Sequence, residues 1–175
     1  MQKIKKGLIE VYSGDGKGKT TAAIGLALRA KSHNLNVCFI CFHKDIKRYK
    51  EAEILRKVGI DIFSFAEKHP FFEKVDREKL RKECLDGLDF IKRIFKEKKY
   101  DIVICDEILI SLRDGFLKEQ EIIEIMEGKP ENIELVLTGR YVTEKIIEKA
   151  DLVSEIRKIK HPFDNGIKAR KGIEY

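Results

Sequence analysis

Glycines at positions 14, 16 and 18 stand directly before Lys19, Thr20 and Thr21 in the stretch VYSGDGKGKTT, residues 11–21. That spacing suits the holding of phosphates. Glycine tolerates positive φ, so successive backbone N–H groups can turn inward around an anion. A helix opening at Thr20 adds the partial positive charge of its N-terminus. Lys19 can reach the outer phosphate oxygens, and the Thr20 hydroxyl can serve Mg²⁺ or Mn²⁺. The pattern G-x-x-x-x-G-K-[ST] is met at every position but the first, where Ser13 stands. Gly14, Asp15, Gly16, Lys17, Gly18, Lys19, Thr20 and Thr21 are therefore the candidate nucleotide-binding residues. A dinucleotide fingerprint does not fit, because the glycines run G-x-G-x-G.

A second pair able to do chemistry is Asp106–Glu107, at the end of the apolar run IVIC. A carboxylate there needs a reason, and the usual one beside a phosphate loop is to hold the metal directly or through water. Thr20, Asp106 and Glu107 form the candidate metal set; an ordinary acidic strand end is the alternative. Arg140, in LTGR, follows another apolar run. Arg29 shares a helical stripe with Thr21 and Gly25. It could lean back toward the nucleotide, or simply snorkel at the surface. Cys38 and Cys41 read as C-x-x-C, but they lie three apart in the strand-like run NVCFICF, so their thiols face opposite sides. They are expected to be core residues, with no metal or redox role.

The elements that must position these residues alternate along the chain. Apolar runs of strand length occur at 8–12, 37–42, 60–65, 102–105, 135–138 and 152–159. Helical periodicity occupies 20–32, 46–58, 76–98, 118–127 and 142–149. Six strands alternating with five helices predict an α/β fold with a mainly parallel six-stranded sheet flanked by helices, in one domain spanning residues 1–175. Ligands of such sheets bind beyond the carboxyl ends of the strands. The loop after strand one, CDE after strand four and TGR after strand five then share one edge.

Whole-chain composition narrows the class. The net charge of +6 arises from 36 basic and 30 acidic residues, and most lysines fall in Lys/Glu-mixed helices that read as solvated faces. Lys168, Arg170 and Lys171 make too small a basic footprint, with no stacking aromatics, for a nucleic-acid module. No apolar run approaches the roughly 20 residues of a membrane span. The N-terminus lacks a signal-peptide cleavage pattern, so the expected location is the cytoplasm.

Taken together, the blocks YSGDGKGKTTAAIGLALRA, IFSF (62–65), VICDEI, LTGR and ADLVSEIRKIKHPFDNGIKARKGIEY resemble the phosphate-loop ATP:corrinoid adenosyltransferases, of the cob(I)yrinic acid a,c-diamide adenosyltransferase type. The likeness covers nearly the whole chain, and the C-terminal block is its most specific part. It implies a RecA-like sheet, ATP as co-substrate with Mg²⁺ or Mn²⁺, and a corrinoid substrate (cobalamin, cobinamide or cobyrinic acid a,c-diamide). It also implies a homodimer and a reducing flavoprotein as electron donor, with no nucleic acid or membrane partner. In that family cobalt(I) attacks the ribose 5′ carbon and triphosphate leaves whole, from a nucleotide lying opposite to its direction in ordinary phosphate-loop hydrolases. Lys19 would then stabilise a leaving group. Phe63 and Phe65 match the family positions whose aromatic rings displace the lower axial ligand of cobalt(II); buried strand residues are the other reading of the same positions.

Three departures from the family stand out. Asp15 occupies a position commonly held by asparagine, putting a negative charge in the loop where it would face the metal or oppose ATP. CFHKD (41–45) stands where a Q-F-x-K-G-like segment is usual. Only MQKIKK is available where some relatives carry an N-terminal extension over the site. The reading from another class is a phosphate-loop ATPase or kinase with Glu107 orienting a water or hydroxyl.

Overall fold

A computed structural model describes residues 4–47, 49–69 and 74–174. Residues 1–3 of the basic start, Arg48 in the expected helix 46–58, and Tyr175 at the end of the C-terminal block lie outside the described residues. The elements run β1 (Ile9–Ser13), α1 (Lys19–Ser32), β2 (Val37–Phe42), α2 (Lys50–Lys57), β3 (Asp61–Phe65), α3 (Arg77–Glu97), β4 (Ile102–Asp106), α4 (Ile108–Arg113), α5 (Glu119–Glu127), β5 (Glu134–Thr138), α6 (Glu144–Lys149) and β6 (Leu152–Glu155). All six strands pair in parallel, in the order β3-β2-β4-β5-β1-β6. This is the α/β architecture that the alternating pattern predicts.

Helices cover both faces of the central strands, which is why VCFICF and IVICD carry no polar alternation: every residue in them is buried. On one face α1 presents Ala23, Ala27 and Ala30, whose small side chains settle against Phe39, Ile104 and Val136, with Leu55 of α2 beside them. On the other, Leu80, Cys84, Leu88 and Ile91 of α3 join Ile108, Leu109, Ile122 and Ile146 of the later helices. Each such side chain removed from water contributes about 1.5–3 kcal/mol. Cys38 belongs to one core and Cys41 to the other, as their spacing requires, and all four cysteines are buried and free.

Several boundaries differ from the sequence pattern. Helix α4 is additional; its six residues ILISLR follow the acidic pair at the end of β4 and are too short a stretch to show helical periodicity. Helix α2 starts at Lys50, later than the expected residue 46, because the Asp45 carboxylate accepts the Lys47 N–H at 3.0 Å and bends the chain into a turn first. Strand β6 stops at Glu155, short of residue 159. The chain beyond it leaves the ladder to meet the phosphate loop: Ile156 N–H donates to Ser13 O at 2.8 Å, and Gly16 N–H donates to Ile156 O at 2.7 Å.

Candidate functional site

The carboxyl ends of β1, β2, β4 and β5 bring together residues far apart in sequence. The loop after β1 turns through Gly14 at φ 107° and Gly18 at φ 125° before α1 begins. A Cβ on Gly14 would lie 2.4 Å from Ile156 O, so glycine is required there by conformation and by close approach. The Lys19 ammonium folds into the mouth of the loop and donates to Gly14 O at 2.8 Å and Gly16 O at 2.7 Å. Burial, and then the nearby positive charge of Arg140, lower its proton affinity. Arg140 therefore does come to the loop, on an exposed bend held by Gly139 N–H donating to Tyr12 O at 3.1 Å.

Beside the loop, Asp106 is wholly buried at the end of β4. Its carboxylate accepts the Thr20 hydroxyl at 3.0 Å and the Thr138 hydroxyl at 2.8 Å. Thr138 in turn accepts the Glu107 N–H at 2.9 Å, so one hydroxyl fixes both acidic residues. Glu107 adopts φ 63°, a left-handed conformation unusual for a side chain of its size and common where function fixes geometry. Burial raises its proton affinity, against the pull of Lys44.

Lys44, just beyond β2, completes the cluster. Its ammonium lies 2.6 Å from Asp106 Oδ2, 3.4 Å from Glu107 Oε1 and 2.9 Å from Thr20 Oγ1. Burial alone would lower its proton affinity; the carboxylates of Asp106 and Glu107 more than reverse that and raise it. Sequence reasoning did not single out Lys44 or Thr138. The signal lies in strand order: β2 pairs with β4, and β4 with β5, which sets residues 44, 106 and 138 side by side.

The remaining candidates divide. Thr21 is exposed on α1. Arg29 is exposed nine residues beyond Thr20, about 13 Å along the helix, and its charge is felt at Tyr12 of β1. Lys17 points away from the loop mouth and pairs with Glu174 at 3.0 Å. Asp15 also faces the tail: its carboxylate accepts the Lys158 N–H at 2.9 Å, which holds it below the usual carboxylate range. The Asp15 charge is also felt at Lys19, the ammonium in the mouth of the loop.

A hydroxyl and two carboxylates, Thr20, Asp106 and Glu107, are hard oxygen donors that suit Mg²⁺, which normally takes one or two carboxylates and completes its shell with water and substrate phosphates. That they surround a cationic nitrogen shows that the position favours positive charge. Among the described residues no cluster of three or more His, Cys, Asp or Glu forms a self-sufficient metal cage.

At the other end of the same edge, β3 carries Phe63 and Phe65 on one side. Their rings pack with Phe90 of α3 at centroid distances of 4.5 and 5.4 Å, and Phe65 also faces Phe42 at 6.3 Å. Gly87 makes room for them, since a Cβ there would lie 2.7 Å from the Phe42 ring. Both rings are only half-buried. Phe65 lines a cavity of about 420 Å³ together with Ala66, Val75, Leu80, Lys68 and Glu83. Four inter-strand spacings separate β3 from β1, about 19 Å across the sheet.

The chain matches the family described as ATP:corrinoid adenosyltransferase BtuR/CobO/CobP over residues 5–175. It is 34% identical over 171 residues to corrinoid adenosyltransferase CobA of Salmonella typhimurium, covering 98% of this chain and 87% of the relative. The corrinoid adenosyltransferase of Escherichia coli K12 is 33% identical with the same coverage, and that of a Sinorhizobium species is 34% identical over 174 residues, covering 98% of this chain and 81% of the relative. With its phosphate loop, its acidic pair and its C-terminal block all inside the matched span, this chain belongs to the ATP:corrinoid adenosyltransferase family.

Proposed function

We propose that the chain transfers the 5′-deoxyadenosyl group of ATP to cobalt(I) of a reduced corrinoid and releases triphosphate. The observation that carries this reading is the sharing of one sheet edge by a phosphate loop and the half-buried rings of Phe63 and Phe65, the latter opening onto a cavity of mixed polar and apolar lining, within a chain whose matched relatives bear the name corrinoid adenosyltransferase. A kinase or ATPase needs the first feature and has no use for the second.

The chemistry asks little of the protein in bond-making. Cobalt(I) supplies the electron pair for the new cobalt–carbon bond; the C5′–O bond breaks, and its pair leaves on triphosphate. The protein must hold two substrates in line and neutralise the growing anion. Lys19 and the loop amides suit the anion. Arg140, whose charge is felt at Lys19, adds to the same field. Thr20, Asp106 and Glu107 would hold Mg²⁺, which when bound offsets triphosphate charge. The separation of about 19 Å between β1 and β3 leaves room for an extended nucleotide whose triphosphate sits in the loop and whose ribose points toward β3. Phe63 and Phe65 offer cobalt(II) a surface with no ligating atom, which favours loss of its lower ligand and eases reduction. Asp15 and Lys17, within the loop, tie it to the tail. A flavoprotein reductant, a homodimer and a cytoplasmic setting come to this reading from the family resemblance.

The test is anaerobic incubation with ATP, Mg²⁺ and chemically reduced corrinoid. The reading expects an optical change to an alkylated corrinoid that light reverses. Consumption of ATP with no light-sensitive product would refute it.

A further inference from the structure

Three groups suited to a divalent cation, the Thr20 hydroxyl and the carboxylates of Asp106 and Glu107, all touch one lysine. Lys44 Nζ lies within 2.6 to 3.4 Å of an oxygen from each, and its side chain is only 9% exposed. Two neighbouring carboxylates, one of them fully buried, could not remain charged at this depth without a cation. The lysine supplies it from the chain itself. A Mg²⁺ ion bound to the same oxygens would sit about 2.1 Å from them. Ammonium and metal would then share one small space at strongly repulsive separation. One must leave for the other to enter.

We propose that Lys44 is a tethered cation that occupies the divalent-metal position until nucleotide arrives, and then moves onto the triphosphate as the metal takes its place. The inference rests on the nucleotide-site part of the proposed function. Free Mg²⁺ gains little by entering, because it must expel an ammonium from a buried carboxylate into poorer surroundings. Mg²⁺ bound to ATP brings phosphate oxygens that give the ammonium a new partner. The exchange conserves ion pairing throughout and makes metal binding conditional on nucleotide. Lys44 is a positioning residue in the free protein and a contact of the leaving group in the loaded one. The aromatic ring of Tyr49, 5.6 Å from Nζ, lines the way out and tolerates a passing cation.

The experiment is a Mn²⁺ titration followed by electron paramagnetic resonance, on the full chain, with and without ATP. Without nucleotide, wild type is expected to bind Mn²⁺ weakly, and Lys44→Met about ten-fold or more tightly than wild type. Lys44→Arg, which keeps the charge, should behave as wild type. Should Lys44→Met not fold, wild type labelled with ¹³C at the lysine ε-carbons gives the same answer. Its Lys44 resonance, assigned through Lys44→Arg, should shift on adding Mg²⁺ with ATP and stay unmoved with Mg²⁺ alone. Equal nucleotide-free Mn²⁺ affinity in wild type and Lys44→Met would overturn the proposal, as would a Lys44 resonance that moves with Mg²⁺ alone. If Mn²⁺ binds tightly with ATP in both proteins, that failure is confined to Lys44. If ATP promotes Mn²⁺ binding in neither, the nucleotide site itself is wrong and both readings fall.

Discussion

Lys19 and His43 show how differently two buried basic side chains can be used. Lys19 is nearly buried, yet its partners are loop carbonyls, neutral groups that a phosphate can replace. Lys19→Ala should lower kcat/KM for ATP about a hundred-fold, since removing one such donor from a developing anion typically costs about 3 kcal/mol. A variant with wild-type kcat/KM would take Lys19 out of the reaction. His43 is 2% exposed at the end of β2, its Nε2 2.8 Å from the Ser111 hydroxyl and its Nδ1 3.3 Å from Lys68 O. The carbonyl can only accept, so Nδ1 carries the proton and Ser111 donates to Nε2. Burial lowers its pKa to about 4, from the 6.5 of an exposed ring. A lowered histidine pKa favours the folded state in full above pH 6.5, and that contribution is lost as pH falls toward 4, because the unfolded chain takes up the proton first. Chemical denaturation of wild type and His43→Gln across this range should show the wild type losing more stability, by up to about 3 kcal/mol. Parallel curves would mean that burial does not depress the His43 pKa.

At the scale of elements, β3 and α3 build the aromatic wall, and the wall gives the prediction particular to this family. Phe63 is braced by Phe90, while Phe65 also opens onto the cavity. Phe65→Ala should therefore impair adenosylation chiefly when corrinoid is supplied as cobalt(II) with a mild reductant. The loss should be smaller with cobalt(I) prepared beforehand, and ATP affinity should hold. The spectrum of bound cobalt(II) with ATP decides: wild type should show the four-coordinate form and the variant should lose it. An unchanged spectrum in a folded variant would make Phe65 a packing residue only. Elements are also where reading the sequence succeeded and failed for identifiable reasons. IFSF alternates, so the shared side of its two rings could be read directly. The run ICDEILI breaks only at Asp106 and Glu107, which read as a strand end and give no sign that the apolar residues after them form helix α4. Lys44 and Thr138 looked unremarkable because their importance comes from strand order, which places β2 and β5 on either side of β4 and which the order of elements along the chain does not reveal.

The molecule as a whole ties its C-terminal segment to the phosphate loop. Residues beyond β6 are almost all exposed, yet Ile156 and Lys158 bond the loop backbone and Asp15, and Glu174 reaches Lys17 while also accepting from Arg170. This accounts for the phosphate-loop carboxylate at Asp15 in terms of the tail, a contact that spans 143 positions and leaves no local signature. Among the described residues no helix is long and apolar enough to cross a membrane. The sheet, the loop and the acidic pair were legible in the sequence; the reach of Arg29 was read from helical spacing alone and the fold leaves it about 13 Å along the helix from Thr20. What joins these parts is the claim that the loop grips a leaving group. Phosphorus-31 resonance of an anaerobic reaction containing ATP, Mg²⁺ and cobalt(I) corrinoid tests it most directly. The account expects intact triphosphate, one molecule for each cobalt–carbon bond formed, with no ADP. Appearance of ADP and inorganic phosphate in its place, at a rate indifferent to corrinoid, would contradict it.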